Sequence, residues 1–320
     1  MFFDLASLTK PLVTARLALD LLDLDSDRRA QLGFLDRREP LTVRQLLSHS
    51  SGLPPWLPFT GQSLSDQLAQ GFPEGVHILL RKAVPGVVTY SDLNFRMLGE
   101  LLELETGRPF AQLGAEASGL APAPWREAPV FVPDGPDAEA WRAARPEVPL
   151  PPRSPFLPHD ANARAGMRGH AGFGASPEQM RASLTAWIGQ GFPRRMAIET
   201  ARSTDGAAWG LSLQRSMDGH GRFGQLLSRL GRSFTGIHVL ADMDDALPVL
   251  PEDPEGPAEG STAWWMHFGY TGPALFVRPE DGACICLLAH RRGPEGELLD
   301  PLRINARRMA MLRRFVESQS

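Results

Sequence analysis

Lysine and tyrosine are scarce in this sequence of 320 residues. Of its 33 basic residues only Lys10 and Lys82 are lysines, so arginine carries nearly all of the positive charge. Lysine at position 10 indicates a task that arginine cannot perform, because an arginine side chain cannot be deprotonated in a protein. Tyrosine occurs only twice, at Tyr90 and Tyr270. Both lie in turn-like stretches, whereas core tyrosines are expected within the apolar pattern of a helix or strand.

Further absences exclude several classes of protein. No apolar run approaches the roughly 18 residues that a membrane-spanning helix requires. A formal charge of −4 without any basic run argues against nucleic acid as a partner. The first ten residues do not combine a basic stretch with an apolar one, so the sequence predicts no signal peptide and a cytoplasmic location. With 42% hydrophobic residues the chain can bury a large core.

The two cysteines, Cys284 and Cys286, are separated by one residue in a strand-like run. Alternate residues of a strand share a face, and a disulfide between such neighbours is geometrically unfavourable. The sequence therefore predicts two free thiols in the core.

Ser7 and Lys10 form the pattern Ser-x-x-Lys at the start of an apolar run that looks helical. Residues three apart on a helix lie about 5–6 Å apart on one face, so the hydroxyl and the amine can touch. A serine becomes a nucleophile when a neighbouring base removes its proton, and a lysine of lowered pKa can be that base. The spacing alone is equally consistent with a helix-capping serine beside a surface lysine.

A glycine-rich stretch in the middle of the chain holds further polar candidates. His159, Asp160 and His170 have side chains that bind metals, but no pair has the ligand spacing of a metal site on one element. We expect a hydrogen-bonded loop there and no metal.

Periodicity and turn residues predict the secondary structure. One helix is expected to begin after Thr42 and to end at Gly52, and another to begin at Ser91 or Asp92 and to end at Gly107. The last third changes to strands in an antiparallel meander, followed by a C-terminal helix. The predicted strands span 207–214, 237–241, 263–268, 274–277 and 283–289, and the last helix spans 303–316.

Five stretches, taken in order, resemble the β-lactamase-type serine hydrolases, a family that includes class C β-lactamases, DD-peptidases and related esterases. Ser7-Leu8-Thr9-Lys10 resembles the first motif of that family, Tyr90-Ser91-Asp92 the second, and His267-Phe268-Gly269 the third. The stretches 46–54 and 159–172 are also similar to family members. The resemblance covers almost the whole chain.

The fold implied by this resemblance is mixed α/β (α+β) with three layers, in which helices flank an antiparallel sheet and a helical region is inserted between the edges of the sheet. We accordingly expect a mainly helical region, 1–200, that carries the first two motifs. A sheet region with the C-terminal helix, 201–320, completes one catalytic domain, with the cleft between the two regions.

The mechanism implied by the resemblance is acyl transfer without a cofactor. Ser7 would attack a carbonyl carbon of a small-molecule ester or amide while Lys10 and Tyr90 share its proton. Tyr90 would hand a proton to the leaving group and later help to activate water. A carboxylate beside Lys10 would raise the pKa of the amine, which leaves the role of base open between Lys10 and Tyr90.

The resemblance also assigns residues to the substrate and the oxyanion. The backbone N–H groups of Ser7 and Tyr270 would form the oxyanion hole, next to Gly269 of the third motif. His267 would line the site electrostatically. Asp92 would take the place of an asparagine that contacts substrate in class C enzymes.

Two features depart from the family pattern. Phe268 replaces a small Thr or Ser that normally donates a hydrogen bond to a substrate carboxylate, so we expect hydrolysis of neutral carboxylic esters. The alternatives are a peptidase or β-lactamase that acts on amides, and a relative that binds without turnover. Family members also have a pair of strands ahead of the first motif, whereas six residues precede Ser7. Without those strands the predicted strand 283–289 is left as an exposed edge. Either the true start lies upstream of this sequence, or another chain or a rearrangement covers that edge.

Overall fold

The computed structural model describes residues 1–33, 39–57, 86–130, 156–166, 168–204, 206–215, 221–242, 264–295 and 299–319. Lys82 lies outside the described residues. The described helices are α1 (Ala15–Leu21), α2 (Val43–Leu47), α3 (Asp92–Thr106), α4 (Phe110–Ser118), α5 (Ala161–Arg164), α6 (Pro177–Gly189), α7 (Phe192–Met196), α8 (Gly221–Ser228) and α9 (Pro301–Ser318). The described strands are β1 (Phe3–Asp4), β2 (Ala121–Pro122), β3 (Phe173–Ala175), β4 (Ala201–Arg202), β5 (Ala208–Trp209), β6 (Gln214–Arg215), β7 (Ile237–Ala241), β8 (Trp265–Phe268), β9 (Ala274–Arg278) and β10 (Ala283–Leu288).

The larger sheet has the strand order β4-β5-β6-β8-β9-β10-β7. Strands β8, β9 and β10 form the predicted antiparallel meander, in which Val277 of β9 lies between Trp265 of β8 and Cys284 of β10. Successive residues of a strand point to opposite faces, and here both faces are buried. This explains why the central strands read as nearly continuous apolar runs.

One apolar core covers each face of the larger sheet. Val277 and Cys286 pack with α3 and α6 in the larger core. Phe276 and Ile285, which point the other way, pack with α8 and α9 in the smaller core. The predicted three-layer arrangement of helices, sheet and helices is therefore present. Cys284 and Cys286 are free thiols in this interior, as expected, and burial raises the pKa of Cys286 to about 12.

The predicted strand 283–289 is not an exposed edge, and of the alternatives considered a rearrangement covers it. Strand β7 pairs in parallel with β10, from Ile237 opposite Cys284 to Ala241 opposite Leu288, so β10 is completely buried. The meander thus ends on a strand that comes from earlier in the same chain. This is the rearrangement that covers the edge, and β7 itself becomes the outer strand.

The predicted strand 207–214 is also corrected, because it is two short strands, β5 and β6. Ser212 between them has φ of 74°, in the left-handed region that a strand cannot contain. The chain therefore reverses, and Trp209 pairs with Gln214 in antiparallel fashion.

Helix ends follow their capping residues. Thr42 and Gln45 form a capping box at the start of α2, as the sequence suggests. The helix ends at Leu47 and not at Gly52, because His49 has φ of 56°. Helix α3 begins after Ser91 and is closed by a left-handed glycine at 107, as predicted. Helix α9 begins before the predicted residue 303, since the Asp300 carboxylate caps its first N–H groups.

Candidate active site

Ser7 lies in a single turn of 3-10 helix, Ala6–Leu8, directly after β1. Strand β1 is the edge of the smaller sheet, β1-β3-β2, which anchors this turn. Ala6 has φ of 45°, an uncommon conformation for a residue with a side chain, and the Asp4 carboxylate accepts its N–H at 2.8 Å. After the turn the chain continues as a π-helical segment, Lys10–Thr14, into α1. Ser7 and Lys10 are thus brought together by a tight, irregular start and not by a regular α-helix.

Lys10 is completely buried and its ammonium has three oxygen neighbours. The Lys10 Nζ atom lies 2.9 Å from Ser7 Oγ, 3.0 Å from the His170 carbonyl oxygen and 2.7 Å from Asp92 Oδ1. Burial by itself lowers the pKa of Lys10, but Asp92 and Tyr90 raise it, and the resulting pKa is above the ordinary value. In the free protein Lys10 is therefore an ammonium that donates a hydrogen bond to Ser7. The capping-serine alternative is excluded, since this lysine is not on the surface.

Tyr90 faces the same pair from the start of α3. Its ring centroid is 5.0 Å from Lys10 Nζ, and its hydroxyl interacts with both Lys10 and Ser7. The side chain is 38% exposed to the cleft, whereas the hydroxyl end is buried. Burial raises the pKa of Tyr90, and the ammonium of Lys10 only partly offsets this effect. The group beside Ser7 is consequently a neutral phenol.

Asp92 is the first residue of α3, so the same helix start supplies both Tyr90 and the carboxylate partner of Lys10. A carboxylate in the first turn of a helix is stabilised by the helix dipole. Its ion pair with Lys10 compensates the cost of a buried ammonium. Asp92 therefore sets the charge state of Lys10 in addition to bordering the cleft.

His267 on β8 borders the cleft opposite Tyr90, with the ring centroids 6.0 Å apart. It is buried, and neither ring nitrogen has a well-formed hydrogen-bond partner among the described residues. Burial and the nearby Lys10 ammonium lower the pKa of His267 to about 3. The imidazole is therefore neutral at physiological pH and can donate or accept a hydrogen bond.

The turn between β8 and β9 brings Tyr270 to the cleft. The amide of Gly269 donates to the Pro273 carbonyl at 2.8 Å, which closes the turn. A side chain at 269 would lie only 2.8 Å from the Leu5 carbonyl oxygen, so only glycine allows this turn to approach the segment that carries Ser7. The Tyr270 ring stacks on His159 at 5.1 Å, and the Arg291 guanidinium lies 4.1 Å from its centre.

The loop that begins at His159 is hydrogen-bonded, as predicted. His170 Nε2 lies 2.8 Å from Asp160 Oδ1, and the contact with His170 lowers the pKa of Asp160 although burial opposes this. Asp160 also caps α5. Asp92, Asp160 and His170 have ligand atoms within 4.8 Å of one another and are the described residues that could hold a metal ion. Here Lys10 already contacts that Asp92 carboxylate. His159 stacks on Tyr270 and is not part of this group.

His49 belongs to the site, although sequence reasoning did not single it out. Its Nδ1 atom accepts the Ser91 N–H at 3.0 Å, and its ring lies 4.5 Å from the Tyr90 ring. Burial and the Lys10 charge hold the pKa of His49 well below its usual value, so it is a neutral support for Tyr90. The available signal was a histidine between two serines where the pattern of α2 stops. Asp4, which holds the Ser7 turn by accepting the Ala6 N–H, was also missed.

All of the predicted site residues meet at one cleft of about 1010 Å³. Ser7, Tyr90, Asp92, His267, Gly269 and Tyr270 line it, and Lys10 lies beneath Ser7. Most of the surface area of the cleft is apolar and comes from residues such as Trp56, Trp209, Met266, Phe268 and Ile304. The wall also contains Arg164, Arg291 and Arg308.

The family model named Beta-lactamase matches residues 1–307 of the chain. The chain belongs to the β-lactamase family. It is thus a hydrolase of this family, and the predicted resemblance is confirmed. No curated protein is significantly similar to the chain in sequence.

Solved structures of low sequence identity share its fold. The class C β-lactamase of Rhodobacter sphaeroides is 17% identical with a TM-score of 0.54, and the match covers 99% of this chain and 86% of that one. The D-amino acid amidase of Ochrobactrum anthropi SV3 is 16% identical with a TM-score of 0.54, covering 100% and 85%. A mutant simvastatin synthase from Aspergillus terreus is 17% identical with a TM-score of 0.54, covering 100% and 85%. At these identities the likeness concerns the fold alone, which is the predicted β-lactamase and transpeptidase type.

Proposed function

We propose that the protein is a serine hydrolase that cleaves carboxylic esters through an acyl-enzyme at Ser7. The observation that carries the proposal is the buried contact between Ser7 Oγ and Lys10 Nζ at 2.9 Å, with Tyr90 against both. A buried ammonium is costly unless its partners are arranged for it. Such an arrangement beneath an accessible hydroxyl in a cleft is typical of an activated nucleophile.

The hydrogen bonds suggest the order of proton transfers. Because Lys10 donates to Ser7 Oγ, the Ser7 proton is directed to another acceptor, and the Tyr90 hydroxyl is the group beside it. As Ser7 Oγ bonds to the ester carbon, its proton passes to the Tyr90 oxygen while Tyr90 gives its own proton to the ester oxygen of the leaving group. The bond between the carbonyl carbon and that oxygen then breaks, and the neutral alcohol leaves. Neither a phenolate nor a neutral lysine then has to accumulate. Water repeats these steps in reverse to release the acid.

The developing negative charge needs donors that are already in place. In this proposal the backbone N–H groups of Ser7 and Tyr270 bind the oxyanion. The Lys10 ammonium adds a fixed positive charge beside it, and the neutral His267 lines the wall without competing for the proton.

Two features favour neutral esters over substrates that bear a carboxylate. Phe268 has no hydrogen-bond donor, and its ring packs with Phe223 and Phe276 at centroid distances of 5.4 and 5.9 Å. The cleft beside it is largely apolar. The leaving group of an ester is an alcohol and that of an amide is an amine. An alcohol oxygen needs less protonation before the bond to the carbonyl carbon breaks, so a single proton donor such as Tyr90 is sufficient. A small neutral ester with an apolar acyl group is therefore the substrate class we propose.

The test is intact mass after exposure to a fluorophosphonate, which labels activated serines. We expect one adduct on the wild type and on Ser26→Ala, a half-buried control that does not line the cleft, and none on Ser7→Ala. The labelled protein is then compared on 4-nitrophenyl esters of increasing chain length, D-amino acid amides and a β-lactam. Faster turnover of the amide or the lactam would overturn the ester assignment, and a folded wild type without an adduct would make the protein a non-catalytic relative.

A further inference from the structure

The C-terminal helix reaches the turn 269–273 through one buried side chain, Arg308. Its Nε donates to the Gly272 carbonyl at 2.8 Å, and its Nη2 donates to the carbonyls of Gly269 at 2.5 Å and Pro273 at 3.2 Å. Its Nη1 is held by Asn305 Oδ1 at 2.7 Å. Three carbonyls of a single turn therefore converge on one guanidinium.

A guanidinium suits this task because its donors form a rigid planar fork, whereas an ammonium is a point charge. The Arg308 side chain is 4% exposed and lies with its guanidinium carbon 5.0 Å from the centre of the Phe268 ring. All four of these hydrogen bonds go to uncharged oxygens. Burying the Arg308 charge without a carboxylate among these partners costs free energy. The hydrogen bonds of the guanidinium therefore fix the conformation of the turn and do not neutralise the charge.

The opposite side of the turn is fixed against the segment that carries Ser7. Thr271 Oγ1 donates to the Asp4 carbonyl at 2.8 Å. Gly272 has φ of 130°, and a side chain there would lie 2.4 Å from the Ala289 carbonyl oxygen. The turn therefore lies between the nucleophile segment and Arg308, with Tyr270 at its tip.

We infer that Arg308 is a positioning residue for the reaction, which holds the turn so that the Tyr270 amide faces the oxyanion formed on Ser7. The inference rests on the proposed function, in which that amide is an oxyanion donor. Arg308 acts through the turn and takes no part in proton transfer.

The neighbouring Arg307 provides a matched control. It lies on the same helix, is 2% exposed, and donates to the carbonyls of His290 at 2.8 Å and Arg292 at 2.9 Å. Its carbonyl partners belong to a segment outside the turn. Arg307→Met therefore removes an equally buried guanidinium from α9 and leaves the three hydrogen bonds from Arg308 to the turn in place.

The experiment compares the wild type, Arg308→Met, Arg308→Lys and Arg307→Met in two measurements. The first is hydrogen exchange of the peptide that contains 269–273. The second is the ratio of kcat for an ester to kcat for its thionoester, in which sulfur replaces the carbonyl oxygen and gains little from oxyanion donors. Loss of one oxyanion donor costs about 10²–10³-fold in kcat in serine hydrolases. We expect Arg308→Met to lose at least about tenfold in ester kcat, to narrow the oxygen-to-sulfur ratio and to exchange faster at the turn.

Arg308→Lys should have an ester kcat, an oxygen-to-sulfur ratio and an exchange rate between those of the wild type and Arg308→Met, because lysine keeps the charge but lacks the planar set of donors. If Arg308→Met does not fold, Arg308→Lys is used in its place. Arg307→Met should keep the wild-type ratio and exchange. The inference is overturned if Arg308→Met and Arg307→Met each lose ester turnover and thionoester turnover to the same extent. It is also overturned if Arg308→Met raises only KM, which would make Arg308 a substrate-binding residue. If the wild type carries no fluorophosphonate adduct, the proposed function fails, and the exchange measurement alone then decides whether Arg308 holds the turn.

Discussion

At the scale of single residues, the site is organised by how charges are buried. Lys10 keeps its proton because Asp92 and Tyr90 together outweigh the desolvation that lowers its pKa, and Tyr90 keeps its proton because burial raises the pKa of its hydroxyl. His49 and His267 stay neutral next to Lys10 because burial and the nearby Lys10 charge both lower their pKa values. One cation, held by the Asp92 carboxylate on one side and facing neutral hydrogen-bonding groups on the other, is a suitable environment for an oxyanion.

Replacing Lys10 by Arg should suppress acylation, because the larger planar guanidinium does not fit the buried contacts of the Lys10 ammonium with Ser7, His170 and Asp92. We expect the rate of fluorophosphonate labelling to fall by on the order of 10²–10³-fold, as when one donor to a developing oxyanion is removed. Mass spectrometry over time measures this rate, and thermal melting checks the fold. The double variant Lys10→Met/Asp92→Asn removes both charges of the ion pair. It shows how fast Ser7 is labelled without the Lys10 charge and without a carboxylate left unpaired. Labelling of Lys10→Arg at the wild-type rate would show that Lys10 has no part in activating Ser7.

The pH dependence should report Asp4. Burial raises the pKa of this carboxyl to about 6, while the hydrogen bonds from the amides of His159 and Ala6 oppose the rise. Its folded pKa lies above the unfolded value, so ionisation between about pH 4 and 6 removes up to about 3 kcal/mol of stability, which is regained at lower pH. Protonation, on the other hand, weakens the acceptor that holds the turn before Ser7.

Activity is therefore expected to fall as the pH decreases through about 6. The stability of the fold should change in the opposite sense, because protonation of Asp4 increases it. A profile of kcat/KM from about pH 4.5 to 8.5 measures the acid limb. Asp4→Asn cannot ionise and should show low activity without that limb. If the limb persists at the same midpoint in Asp4→Asn, another group is responsible.

At the scale of elements, the sequence predicted most of what local chemistry determines. The capping box at Thr42, the start of α3 after Ser91 and the meander β8-β9-β10 follow from residue types and periodicity. What failed depends on backbone conformations that these patterns do not reveal. Residues with positive φ ended α2 early at His49 and divided a strand at Ser212. The three motifs located Ser7, Tyr90 and His267, whereas Asp4, His49 and Arg308 act through contacts between distant segments.

The register of strand β7 decides which of its N–H groups donate to β10, and this can be tested with proline substitutions. The Cys284 N–H donates to the Gly236 carbonyl and the Asp242 N–H donates to the Leu288 carbonyl. In a parallel ladder this directs the Leu240 N–H to β10 and the Val239 N–H to the outer side. Leu240→Pro should then lower the melting temperature much more than Val239→Pro, since proline is tolerated where the N–H of an edge strand faces outward.

Urea unfolding and light scattering measure the difference between these two variants. Leu240→Pro should also aggregate, because it uncovers the apolar edge of β10. Equal stability of the two variants would show that β7 does not pair with β10 in this register.

At the scale of the whole molecule, the sheet joins the two regions that the sequence distinguishes. Leu98 of the helical region shares the larger core with Val277 and Cys286 of the sheet. The opposite faces of the same strands share the smaller core with Leu312 of α9. Ser7 comes from the first region and His267 from the second, so the cleft exists only while both cores hold the sheet in place. We therefore propose that residues 1–200 and 201–320 are two parts of one catalytic unit.

Unfolding should therefore be cooperative across the proposed regions. Leu98→Ala and Leu312→Ala each delete a fully buried side chain, at an expected cost of about 2–5 kcal/mol. Because the two cores share β9 and β10, each variant should shift one common transition, whether it is followed by tryptophan fluorescence, by far-UV circular dichroism or by loss of Ser7 labelling. Two separate transitions, with Leu98→Ala moving one and Leu312→Ala the other, would mean that the regions are independent domains. Loss of labelling that coincides with the single transition would instead tie the competence of Ser7 to the sheet that both cores support.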